Sequence, residues 1–125
     1  DGTGRPRYMS VFGPESGAGI LRETIAPLKD LGVLGANTIL RRQGFSSDYG
    51  AFMEAGLPGI HVGLDPIEYN NYTWHSNLDT YERIVEEDVM KSAIVMASTV
   101  YHLATRAGLL PRVSSGDMPK RPNTR

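Results

Sequence analysis

"SSDYGAFMEAGLPGIHVGL", residues 46–64, holds two elements of different period. Ser46, Ser47 and Asp48 are N-cap types, whose side-chain oxygens can accept from the first free amides of a helix. Gly56 followed by Pro58 closes that helix, because glycine takes the left-handed C-terminal position and proline cannot continue the turn. Past Gly59 the pattern becomes an alternation, with Ile60, Val62 and Leu64 on one side of the chain and His61 and Gly63 on the other. A short helix feeding a half-buried strand is a unit of layered α/β architecture.

The same logic runs outward. "YMSVFG", residues 8–13, is a run of β-formers closed by Gly13-Pro14 and reads as a strand that starts the sheet. From Ser16 the apolar residues Ile20, Leu21, Ile25, Leu28 and Leu31 recur at helical spacing until Gly32, with a kink expected at Pro27. "ANTILRR", residues 36–42, fits a second strand. Residues 65–81 show no period and hold Tyr69, Tyr72, Trp74 and Tyr81, which makes them a long ordered loop. Glu86, Glu87 and Asp88 suit the positive end of a helix dipole. The apolar residues from Val89 to Ala104 cover most of that helix, which predicts deep packing until Gly108. Three prolines and few apolar residues make 111–125 read as a disordered tail.

The expected fold is therefore α/β, a three-layer αβα domain with a mostly parallel (mixed) central sheet over 1–110. Ligand sites in parallel sheets lie at the carboxyl ends of strands. On that basis the loops after Phe12, Arg42 and Leu64 share one edge, bringing Phe45 to Tyr49 beside the loop from Tyr69 to Asp79.

Composition narrows the chemistry. A formal charge of -1 over 125 residues gives no basic surface for nucleic acid, and no run is apolar enough for a membrane span. "DGTGRPRYMS" has no apolar core of a signal peptide, and its glycine-rich opening reads as a cut end. With no cysteine and three histidines, only His, Asp and Glu are strong metal ligands. "GPESGAG", residues 13–19, lacks the spacing of a phosphate loop. A Ser-His-Asp set of Ser46 or Ser47, His75 and Asp65 or Asp79 has no supporting G-x-S-x-G turn.

His75, in the aromatic loop, is the best-placed histidine. It reads either as a ligand oriented by Asp79 four residues on, or as a structural turn residue with Asp79 as a cap. His61 reads as a satisfied half-buried strand residue, and His102 as a cation at a helix C-terminus. Asp48 reads first as a helix cap.

The ordered set "SSDYGAFMEAGLPGIHVGLDPIEYNNYTWHSNLDTYERI", followed by a long apolar helix and "LLPR", resembles the C-terminal portion of zinc-dependent exopeptidases. The family is that of bacterial aminopeptidases, carboxypeptidase Q and glutamate carboxypeptidase, and the bacterial carboxypeptidase Q-type members are the most similar. The most specific part is Trp74, His75, Ser76, Asp79 and Thr80. The resemblance implies a phosphorylase/hydrolase-like αβα fold with two zinc ions, bridged by an aspartate and a water that a glutamate base deprotonates for attack on the peptide carbonyl. His75 matches the last metal ligand, with Asp79 behind it. The other ligands and the base match positions upstream, so no catalytic residue is expected here, and Asp1 is a poor second choice for one ligand.

Where relatives often carry histidines this chain has Tyr49 and Trp74, which with Asp48 and Tyr72 are candidate pocket walls. The resemblance further implies a peptide or dipeptide substrate, release of terminal amino acids, and a secreted or periplasmic location, and it is compatible with a homodimer. The isolated chain is expected to be inactive and prone to aggregate. A non-catalytic binding domain and a glutaminyl cyclase-like mono-zinc enzyme are the alternatives.

Overall fold

The computed structural model describes residues 3–42 and 47–121; Asp1 and Ser46 lie outside them. A three-stranded sheet of order β2-β1-β3 is built from β1 (Pro6–Phe12), β2 (Gly35–Ile39) and β3 (Ile60–Leu64). Three α-helices accompany it: α1 (Glu15–Ile25), α2 (Asp48–Glu54) and α3 (Glu86–Thr105). Every strand and helix read from the sequence is present, and the α/β class holds.

The elements end where their chemistry ends. At Pro27, which has no amide hydrogen to donate, α1 has already given way to a 3-10 helix over Ala26–Leu31. Gly32, at φ 109°, closes that helix by donating to the Lys29 carbonyl at 2.9 Å. β2 is shorter than expected because its pairing partner stops: Phe12 faces Ile39, and β1 leads on into Gly13 and Pro14. Ser47 occupies the N-cap of α2 in an extended conformation, but no side-chain bond caps the helix. Asp48 is the first helical residue, so the capping role expected of it is not made.

β1 runs parallel to β2 and antiparallel to β3, with Tyr8 opposite Gly63, Ser10 opposite His61 and Val11 opposite Ile60. This reversal overturns the shared-edge expectation. Leu64 ends beside Pro6, and Asp65 donates its amide to the Arg5 carbonyl at 2.8 Å. The loop after Leu64 therefore leaves from the opposite end of the sheet to the loops after Phe12 and Ile39. It is also not structureless, containing a π turn over Tyr69–Thr73 and a 3-10 turn over Tyr81–Arg83.

Alternation along β1 defines two faces. Met9 and Val11 join Ala18, Leu21 and Ile25 of α1, Val33, and Val95 of α3 in a single buried core. Tyr8, Ser10 and Phe12 face the other way, toward the layer that includes α2. Thr99 of α3, buried, donates its hydroxyl to the Met9 sulfur at 3.8 Å. Beyond Pro111 the chain makes a 3-10 turn at Ser115–Asp117, sets Met118 against Gly56 and brings Arg121 within 3.1 Å of the Glu54 carboxylate.

The deep burial expected of α3 is realised on one strip only, where Val95 and Thr99 are buried. Its opposite side shows Val89, Met90, Ile94, Met96, Val100 and Tyr101 to solvent. β3 likewise pairs only with β1 among the described residues. No helix among them is long and apolar enough to cross a membrane.

An exposed apolar helix side of this width drives association. The isolated chain should bind a hydrophobic-surface dye and self-associate, with Met90→Lys plus Ile94→Glu reducing both; a monodisperse chain that binds no dye would contradict this. A second expectation concerns Gly63, where a Cβ would collide with the Tyr8 ring. Gly63→Ala should lower stability by about 1–3 kcal/mol in urea unfolding, and Tyr8→Ala in that background should recover part of the loss. No interaction between the two substitutions would show that the ring moves aside freely.

Candidate functional site: a displayed histidine and an aromatic cleft

The loop after β3 is a chain of local hydrogen bonds that ends in an exposed imidazole. Tyr69 donates its amide to the Pro66 carbonyl at 2.7 Å, Tyr72 to Glu68 at 2.9 Å, and Trp74 to Tyr69 at 2.8 Å, the wide spacing of a π turn. His75 then takes a left-handed conformation at φ 56°, a region costly for most side chains but visited more readily by histidine. Ser76 secures the reversal. Its hydroxyl lies 2.8 Å from the Tyr72 carbonyl and 3.0 Å from that of Thr73, and it accepts from the Leu78 amide at 3.2 Å. The sequence places Ser76 in the motif without giving it a structural role; a serine directly after a loop histidine, able to bond back three and four residues, is the available signal.

The His75 ring is exposed and meets the Trp74 indole edge-on, with centroids 4.8 Å apart at 84°. Among the described residues nothing forms a hydrogen bond to that ring. Asp79 is close in the chain, and its amide donates to the Ser76 carbonyl at 3.2 Å, but no bond joins its carboxylate to His75. Its side chain lines a separate cavity of about 270 Å³ with Thr3, Tyr69, Thr73 and Arg83. No group of three or more His, Asp or Glu side chains converges among the described residues. A zinc ion bound to protein usually takes at least three such donors, so these residues alone do not fit one.

Tyr49 and Trp74 do come together, by a different route from the one expected. Both line one cleft of about 430 Å³ beside β3 that also includes Tyr8, His61, Tyr69 and Asn70. His61 lies between two tilted tyrosines, 6.2 Å from Tyr8 and 5.2 Å from Tyr49 between ring centroids. Burial pushes the His61 imidazole below its ordinary pKa, because a charged ring loses solvation there. At the cleft's edge Arg7 holds Asp65 through two contacts, at 2.7 and 2.6 Å, and that hydrogen bonding keeps the Asp65 carboxyl below the usual range. Asp48 sits in an adjoining groove of about 410 Å³ with Val89, Ser92 and Met96 of α3. Tyr72 is 60% exposed and belongs to neither the cleft nor the groove.

His61 is half-buried on its strand, as the alternation implies, and it also lines the aromatic cleft. The signal was Gly63, two residues on and on the same face, which leaves space for a neighbouring ring.

No curated protein and no solved structure matches the chain. A family model, that of peptidase family M28, matches residues 1–100. The matched span takes in all three strands, the aromatic cleft, the loop that displays His75 and most of α3. Proteins of this family are hydrolases that cleave peptides, typically with zinc. Matched from its first residue through residue 100 of 125, the chain belongs to peptidase family M28.

Proposed function

We propose that the chain is the C-terminal portion of the catalytic domain of an exopeptidase of the carboxypeptidase Q-like kind, in which His75 is one ligand of a two-zinc centre. The observation that carries this reading is the presentation of His75. The turn spends a left-handed backbone on a histidine, Ser76 locks it, and the ring is left exposed and unbonded among the described residues. Strain of this kind is retained where the surrounding structure over-determines it, which favours a functional residue. Trp74 lies edge-on to the ring and, with Tyr49, lines the cleft where a peptide would lie.

The remaining ligands and a glutamate base come, in this reading, from residues upstream. The apolar side of α3 and the edge of β3, unpaired among the described residues, support a larger domain packed against them. Asp79 would then support the loop that carries His75, and the protein would act outside the cytoplasm.

The test uses the whole parent protein. It should hold about two zinc ions per chain by metal analysis; His75→Ala should lose one of them and abolish peptide hydrolysis. Unchanged hydrolysis in that variant would defeat the assignment. Titration calorimetry of the 125-residue chain alone should show no stoichiometric zinc, since one imidazole cannot make a site. Ser76→Ala should weaken zinc binding by the whole protein by about tenfold, as removal of an orienting partner typically does, with Ser76→Thr restoring it. Equal affinity in the alanine variant would show that the turn holds without the hydroxyl.

A further inference from the structure

We propose that the cleft around His61, with walls from Tyr8, Tyr49 and Trp74, is a subsite for a neutral aromatic side chain of the peptide, and that His61 is its specificity-determining residue. This rests on the peptidase reading for the word peptide, while the preference for a neutral ring rests on the cleft itself. At about 430 Å³ the cleft falls within the range of about 300–1,000 Å³ usual for small-ligand pockets.

Its lining is rich in unspent aromatic surface. Tyr8 is 46% and Trp74 57% exposed. His61 is tilted at 59° to Tyr8 and 39° to Tyr49, so its neighbours form angled walls rather than a closed stack. A further ring entering between such walls can take edge-to-face contacts, which are favourable at centroid separations of about 4.5–7 Å. Gly63 is the residue that permits this, because a side chain there would occupy the position of the Tyr8 ring and lift it off the strand.

Charge decides against the other side-chain classes. Apart from His61 and the three tyrosine phenols, Asp65 is the one ionisable side chain in the cleft lining among the described residues, and Arg7 already engages both of its oxygens. Among the described residues an acidic side chain would find no free cation, and a basic one would compete with Arg7 for an occupied carboxylate. The half-buried imidazole favours its neutral form, which adds no charge and offers one donor and one acceptor. With the Asn70 amide, it can accommodate a ring with or without a hydroxyl. Apolar contact with polar termini at the edge is the pattern of a tyrosine or phenylalanine subsite rather than of an anion or cation site.

Trp74 is the only tryptophan in the chain, so tryptophan emission reports this wall alone. N-acetyl-phenylalaninamide titrated into the chain should change that emission saturably, whereas the matching glutamate and lysine amides should not. His61→Ala should weaken the response about tenfold, with His61→Gln and Tyr8→Leu as further variants and circular dichroism confirming that each is folded. No saturable response to the phenylalanine probe, an equal response to the glutamate probe, or undiminished binding in folded His61 and Tyr8 variants would each overturn the proposal. Hydrolysis by the whole parent separates the two readings. Cleavage with no preference for aromatic residues would sink the subsite and leave the peptidase standing, whereas aromatic binding with no cleavage would do the reverse.

Discussion

The antiparallel pairing of β3 with β1 is the constraint on which the rest of the molecule depends. It sets Tyr8 against Gly63 and Ser10 against His61, and so decides which side chains share a face. It also returns the chain to the start of β1, where Gly4 lies so close to the Asp65 backbone that a Cβ there would clash. From that junction the N-terminal segment reaches the end of the loop that displays His75. The Thr3 hydroxyl donates to the Arg83 carbonyl at 3.2 Å and accepts from the Val85 amide at 2.9 Å, and Arg5 meets Asp88 at 3.3 Å. The loop that displays His75 is thus anchored at both ends by residues flanking one strand.

The two sides of the sheet have different tasks. One side carries the buried core between β1, α1 and α3, and little chemistry. The other carries Tyr8, His61 and Gly63 beneath the start of α2, whose far end is fixed by charge. The Glu54 side chain is 8% exposed and lies 3.8 Å from Arg42 and 3.1 Å from Arg121. Opposite charges held in such a place stabilise mainly by avoiding an unpaired buried carboxylate.

Two histidines stand at the centre of the two proposed sites. His75 was prominent in the sequence because it stood in an aperiodic aromatic run, and the structure adds its left-handed backbone and the Ser76 bonds that hold it. His61, alternating with Ile60 and Val62, reads in the sequence as ordinary strand chemistry. What alters that reading is the pair of tyrosines on either side of it, one from β1 and one from α2, which lie 53 and 12 residues away in the sequence.

Local signals in the sequence determined the elements themselves: the alternation through Ile60, Val62 and Leu64, the helical spacing that stops at Gly32, and the acidic start of α3. Each depends on interactions within a few residues, and each appears where expected. The direction of β3, the separation of Asp79 from the His75 ring, and the shallow burial of α3 were settled only by the tertiary structure. Strand polarity is decided by which pairing best covers the whole sheet, and burial by how many neighbours are present to supply it. Neither quantity is written in the stretch of chain that it governs.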